Sequence, residues 1–257
     1  MVELYGQAAL VILGYVFVAF LFSWAVRDNS WVDVAWGMGF VVLAWVFHSA
    51  APHPSSGLTA ALVSAWGIRL SAHIGWRKLL HPGEDWRYAR WRQEWGKWVV
   101  PRAFLQVFLL QGFLMWIISS LIWQRPGGLV NAWYQWVGIA VWATGFFWEA
   151  IGDWQLLRFK ADPANKGRIM RYGLWRYSRH PNYFGEILVW WGLFLLVLPW
   201  GVWWLALLSP LTITWLLARV SGVPMLEEKY RNNPEYQEYV KRTPGLIPWR
   251  RAKGIGL

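Results

Sequence analysis

The sequence predicts an all-α, polytopic membrane protein of seven transmembrane helices, with its N-terminus outside and its C-terminus in the cytoplasm. Three observations predict it. Of 257 residues, 56% are hydrophobic and only 15% are charged, against roughly 25% charged in soluble domains. Seven runs stay apolar for about 20 residues, the length that carries a helix across a bilayer core. The positive charge is one-sided: 22 of the 25 Lys and Arg fall on a single side when the runs alternate across a membrane, as the positive-inside rule requires.

The runs lie at 7–26, 31–50, 58–76, 103–124, 132–156, 183–199 and 201–220. The first opens on Glu3 rather than a basic stretch and has no small-residue cleavage site, so it reads as a span and not a signal peptide. The second carries Asp33 and Trp36 near its start, and the third carries Arg69 and His73 one turn apart on one face. The fourth is uncharged. The fifth holds Glu149 and Asp153 near its end, and the sixth begins around Glu186. Leu198-Pro199-Trp200-Gly201 reads as a tight hairpin leading into the seventh, which ends at Arg219. The inner side holds Arg27 and then seven cations each in 77–102, 158–179 and 229–253, whereas the outer loops hold only Arg125. An even number of spans would break that split. The runs are continuous rather than alternating, which argues against a β-barrel.

Composition excludes further classes. With no cysteine there is no disulfide framework, thiolate metal site or cysteine nucleophile, and no metal is expected. The 25 tryptophans suit the membrane–water interface, where the ring is buried and its N–H stays wet. A net charge of +11 would attract nucleic acid in a soluble domain, but a one-sided charge on a membrane chain faces the cytosol and lipid headgroups. Neither a nucleic-acid partner nor an obligatory protein partner is expected.

Chemistry concentrates on the inner side. Between Tyr172 and Tyr183 the chain alternates bases with aromatic rings, Ser and Asn. Lipid attraction needs only charge, whereas a nucleotide needs cations for phosphate and flat or amide groups for base and ribose. No P-loop and no G-x-G-x-x-G occurs, so a nucleotide would sit in a non-Rossmann site. Asp33, Arg69, His73, Glu149, Asp153 and Glu186 are ionisable groups at membrane depth, where they normally face a cavity or a partner. They read either as internal salt bridges or as one polar cavity open to the cytosol.

The block Leu174-Trp175-Arg176-Tyr177-Ser178-Arg179-His180-Pro181-Asn182-Tyr183-Phe184-Gly185-Glu186 resembles the C-terminal signature of the membrane-embedded steroid 5α-reductase superfamily, R-H-P-N-Y-x-G-E. Further segments are similar to its bacterial branch: Trp31-Val32-Asp33 with Trp36-Gly37, Trp66-Gly67-Ile68-Arg69-Leu70, and Gly83-Glu84-Asp85-Trp86-Arg87-Tyr88. Glu227-Glu228-Lys229-Tyr230 and Pro244-Gly245-Leu246-Ile247-Pro248-Trp249 look like the family's ending. The resemblance implies a single integral membrane domain, with a substrate pocket in 1–124 and an NADPH-binding part in 132–257. The activity it implies is NADPH-dependent reduction of an enone such as a 3-oxo-Δ4 steroid, in a bacterial inner membrane with the site open to the cytoplasm.

By motif position, Asn182 and Glu186 would contact the nicotinamide end, with Tyr177, His180 and Tyr183 beside them. Arg168, Arg179 and Arg219 would hold phosphates, Asp153 would lie at a ribose, and Glu228 and Tyr230 would close over the site. Trp36, Trp66 and Arg69 would line the substrate pocket. The better-known steroid reductases use a Tyr–Glu pair with a Gln. Here Trp66 stands near the Tyr position and Asp33 replaces the Gln–Glu pair, so the carbonyl donor and acid are sought among Asp33, His73, Glu84 and Tyr88. Alternatives are an S-adenosylmethionine-dependent membrane methyltransferase of the isoprenylcysteine carboxyl type, whose block is similar, and a non-enzymatic lipid-binding or transport protein.

Overall fold

A computed structural model describes residues 2–124, 133–198 and 202–248. The expected hairpin residues 199–201, Arg125 and Trp249 lie outside them. Among the described residues every regular element is helical, and no strand occurs. The chain forms two compact units, one of residues 1–130 with 197–209 and the other of 131–196 with 210–257.

The first unit opens with α1 (Val2–Ala25) and α2 (Trp31–Ala50). On α1, Ala8, Ile12 and Val16 recur every four residues and are buried, while Leu10, Leu13, Phe17, Val18 and Leu21 point outward. A helix apolar on both faces has lipid as its outer solvent. The next helix, α3 (Pro54–Leu80), starts with Pro54 at its first position and a reciprocal cap between His53 and Ser56. Gly37 of α2 and Gly67 of α3 let the two backbones touch: a Cβ on Gly37 would lie 2.4 Å from the Gly67 carbonyl oxygen. Ser71 Oγ of α3 accepts the Met38 N–H at 3.2 Å beside that contact.

From Trp86 to Leu121 the chain is one helical run of 36 residues. It comprises α4 (Trp86–Trp95), α5 (Val99–Ala103), a π-helical turn at Phe104–Leu109 and α6 (Leu110–Ile118). Asp85 caps its start by accepting the Arg87 N–H at 3.0 Å. Burial pushes the Asp85 carboxyl up, but the Arg87 hydrogen bonds and charge outweigh it and hold the group below its ordinary range.

The second unit is built on α7 (Trp133–Ala161) and α8 (Pro181–Val197). Gly138, Gly145 and Gly152 recur every seven residues on α7, and Gly185 and Gly192 on α8 share that spacing. Cβ atoms at Gly145, Gly185 and Gly192 would lie 2.6, 2.3 and 2.5 Å from backbone atoms of the facing helix. Small residues are how helices approach closely where lipid removes the hydrophobic incentive to associate. The chain continues through α9 (Trp203–Ala206), α10 (Leu208–Trp215), α11 (Val223–Lys229) and α12 (Pro234–Arg242).

Among the described residues, four helical stretches are long and apolar enough to cross a membrane by length and composition: Glu3–Ala25, Trp31–Ala50, Trp86–Leu121 and Trp203–Lys229. Pro181–Val197 is apolar but shorter. The run expected at 58–76 falls within α3, and residues 133–156 of the run expected at 132–156 fall within α7; both helices carry their charged residues inside the helix and extend past the apolar stretch at their basic ends.

Candidate functional site

In the first unit the polar residues of α2 and α3 meet those of the 81–92 segment. Asp33, on the first turn of α2, accepts from Tyr88 Oη at 2.8 Å on one carboxylate oxygen and from Arg87 Nη2 at 2.7 Å on the other. Arg87 Nε also donates to Asp85 at 2.8 Å, so one guanidinium ties two carboxylates. Tyr88 is buried among Val32, Val107 and Phe108, and its phenol is the polar end of an apolar wall.

Glu84 belongs to a neighbouring set. It accepts from Arg92 Nε and Nη2 at 2.7 and 2.8 Å and from the Asn29 N–H at 2.8 Å. This fork-shaped pairing fastens the 26–30 turn to α4. Lys78 seals the same turn through Asp28 and through Ser30 Oγ at 2.6 Å. Trp66 is fully buried and packs edge-on to Phe40, which also meets Trp36 edge-on. Arg69 and His73 are half-buried on α3, and both are engaged in interactions. Thus Asp33 and Tyr88 are joined, and Glu84 is engaged by Arg92.

The second unit gathers the aromatic–basic block around α7 and the C-terminal tail. Asp153, buried on α7, accepts from Asn182 Nδ2 at 3.0 Å. Asn182 Oδ1 is buried and has no partner among the described residues. Trp175 Nε1 donates to the Gly152 carbonyl at 3.0 Å, and Gln155 accepts the Leu174 N–H at 2.9 Å. Both bonds fix the block to α7. Gly173 stands at φ +59 with the Gln155 amide where a Cβ would be, so this corner requires glycine.

Arg179 is a clamp. Its Nε and Nη2 reach Glu227 at 3.1 and 2.5 Å, and its Nη1 reaches the Thr243 carbonyl at 2.7 Å. Ser178 Oγ donates to the Leu246 carbonyl at 2.8 Å, and Tyr239 Oη donates to the Trp175 and Ser178 carbonyls. The tail is therefore strapped to the block. His180 stacks on Tyr183 with ring centroids 5.5 Å apart, and its Nε2 lies 3.5 Å from Glu227. Glu186 is half-buried and engaged in an interaction.

The remaining expected residues lie nearer the surface. Glu228 is exposed and pairs with Arg231 at 3.3 Å, while Tyr230 packs on Tyr236. Tyr177 is half-buried. Arg168 and Arg219 are exposed and form no ion pair with a described residue. Arg168 borders a small cavity of about 120 Å³ shared with Asn165, Arg171 and Glu235. Two residues escaped the sequence reading. Arg87 stands beside Tyr88 in a quoted motif, yet nothing local pairs it with Asp33. Glu227 faces the block where Glu228 was expected to act, and only the direction of the helix distinguishes those neighbours.

His180 offers a check on this geometry. Burial pushes its pKa from 6.5 down to about 4, against the pull of Glu227 and with the help of Arg179. Above pH 6.5 the folded and unfolded states both hold it neutral; between 6.5 and about 4 only the unfolded state takes up the proton. Stability is therefore expected to fall with pH across that window by up to about 1.4 kcal/mol per unit. Thermal unfolding in detergent should show this slope in the wild type and a shallower one in His180→Gln. Equal slopes would remove His180 as the cause.

A family profile described as a protein of unknown function, DUF1295, matches residues 19–243. The chain belongs to the DUF1295 family. The match contains the Asp33–Arg87–Tyr88 cluster, the aromatic–basic block and α12. That family lies in the steroid 5-alpha reductase-like group. An uncharacterized protein of Schizosaccharomyces pombe is 27% identical over 157 residues, covering 52% of this chain and 45% of the relative. The chain thus spans less than half the length of that relative. No solved structure matches.

Proposed function

We propose that this DUF1295 protein is an NADPH-dependent oxidoreductase that reduces the C=C bond of a hydrophobic enone, with 3-oxo-Δ4 steroids as the substrate class. We place it in a bacterial inner membrane with seven spans, the N-terminus outside and the basic segments in the cytosol. The observation that carries the reading is the Asn182 carboxamide. Its Nδ2 is committed to Asp153 while its Oδ1 is buried without a partner, an arrangement that costs free energy until a donor arrives. A nicotinamide amide is such a donor. Arg168 and Arg219 remain available for phosphate oxygens, which guanidinium groups grip bidentately. Tyr177, His180, Tyr183 and Glu186 shape the same end, and Tyr230 with Glu228 belongs to the tail that covers it. Arg179 acts by holding that tail.

NADPH, when bound, supplies a hydride for the enone β-carbon. The protein's part is to stabilise the enolate oxygen that forms and to protonate the α-carbon. Tyr88 is the donor for the oxygen: its O–H, bonded to Asp33 at rest, turns to the substrate while Arg87 continues to balance the carboxylate. His73 is the candidate for the α-carbon proton, directly or through water, whereas Glu84 accepts from Arg92 and the Asn29 N–H and so holds the 26–30 turn in place rather than giving a proton. Trp36, Trp66 and Arg69 form the substrate wall.

The decisive experiment is NADPH oxidation by purified protein against a panel of 3-oxo-Δ4 steroids and simpler enones, with NADPH binding followed by thermal shift. Absence of NADPH binding would end this reading. Tighter binding of S-adenosylmethionine would replace it with the methyltransferase. Arg168→Ala and Arg219→Ala are expected to weaken NADPH about tenfold or more while changing NADH little, as loss of a charge-assisted hydrogen bond of about 1.5–3 kcal/mol implies. Equal losses for both cofactors would show that these arginines do not read the 2′-phosphate.

A further inference from the structure

We propose a second binding site, built within the first unit alone, that holds an anionic phospholipid by its phosphate. A cavity of about 390 Å³ opens between the end of α1 and α5, within the size range of small-molecule sites. One wall is apolar, formed by Phe20 and Trp24 of α1 and Val99, Val100 and Ala103 of α5. The other end presents Arg27, Asn29 and Arg92.

Those three polar groups have spare donors. Arg92 gives Nε and Nη2 to Glu84 and leans on the Arg27 carbonyl, which leaves Nη1 without a protein partner. Asn29 as a residue is 6% exposed, and its backbone N–H is bound to Glu84 at 2.8 Å, while no described residue bonds its carboxamide. A carboxamide that lines a cavity beside two guanidinium groups fits an oxyanion. Arg27 adds a third sign. It is the one non-glycine among the described residues with positive φ, at 55°. Glycine suits that conformation better, so Arg27 places its cation at the cavity from a strained backbone position.

The apolar wall decides between a lipid and a soluble anion. Trp24 and Val100 are 58% and 41% exposed and continue the outward apolar face of α1. The cavity therefore opens onto acyl chains on one side and onto cations at the other. Trp24 and Arg27 sit where the span ends, the headgroup level at which Trp and basic residues gather. A phosphate on Arg27, Arg92 and Asn29 with an acyl chain along Phe20, Val99 and Ala103 matches both ends.

The test is native mass spectrometry of detergent-purified protein incubated with phosphatidylglycerol or phosphatidylcholine. One phosphatidylglycerol per chain should be retained, phosphatidylcholine should not, and excess inorganic phosphate should fail to displace it. Arg27→Gly removes the cation and relaxes the backbone, and Val100→Trp fills the cavity while keeping every charge. Each should weaken retention about tenfold or more, with an unfolding temperature in lipid-free detergent no lower than wild type for Arg27→Gly. Arg231→Ala, on the exposed tail, should retain lipid normally. Retention unchanged in both cavity variants, no retention in the wild type, or equal competition by inorganic phosphate would each overturn the proposal.

Discussion

Tyr88→Phe is expected to lower enone reduction by roughly 10²–10³-fold while leaving NADPH affinity unchanged, the loss typical of one donor to a developing oxyanion. The phenol is buried against Val32, Val107 and Phe108 and is aimed at Asp33, so removing one oxygen leaves the packing intact. Asp33 keeps its 2.7 Å contact with Arg87, and the stability cost should stay near 1 kcal/mol. Asp33→Asn is the informative companion. It preserves the shape but takes one of Arg87's two counter-charges, leaving Asp85 at 2.8 Å, and in this partly exposed pair should destabilise by about 1–3 kcal/mol, less than breaking a fully buried pair. Steady-state kinetics in detergent with thermal unfolding separates the two effects. A Tyr88→Phe enzyme as active as wild type would transfer the donor role to His73, and His73→Ala would then be the variant that loses activity.

Gly185→Ala should be the most destabilising conservative substitution on α8. A methyl group there would stand 2.3 Å from the Glu149 backbone nitrogen and 2.6 Å from the Gly145 carbonyl oxygen. Neither neighbour is a flexible side-chain end, so α7 and α8 must separate. Overpacking of this kind costs about 1–3 kcal/mol and more where backbone cannot yield. The shift would reach the site, since Asn182 lies one turn before Gly185 and bonds Asp153, one turn beyond Glu149. Gly14→Ala is the control: nothing lies within 4 Å of its Cβ position, and alanine there should be neutral or stabilising by up to about 1 kcal/mol. Unfolding midpoints of the two variants measure the difference. Equal midpoints would mean that the helices do not touch through Gly185.

Much of the helical architecture was legible because each span announces itself locally. The runs at 31–50 and 183–199 coincide closely with α2 and α8, and the proline before α3 and the Asp85 cap mark starts by their own chemistry. The basic segments were less legible. The 77–102 stretch reads as a hydrophilic connection, yet Trp86–Trp95 is helical and runs into the apolar helix after it. Charged residues are good helix formers, and polarity marks exposure rather than coil. The seven-residue glycine spacing on α7 and α8 stood in plain view, but its meaning depends on which helix lies opposite.

The candidate site divides along the same line. The aromatic–basic block was visible as a block, because its residues are contiguous and its chemistry is compositional. Asp33 with Tyr88, 55 positions apart, was not, and neither was the choice of Glu227 over Glu228. By itself the sequence determined the solvent and the apolar helices: a helix satisfies its backbone within its own segment, so apolar length suffices to specify it in lipid. Only the tertiary structure decided the pairing of Asp33 with Arg87 and Tyr88, the strapping of the tail by Arg179, and the orphaned Asn182 oxygen. Ion pairs and buried donors are settled within about 3 Å, and that proximity comes from the packing of segments far apart in the chain.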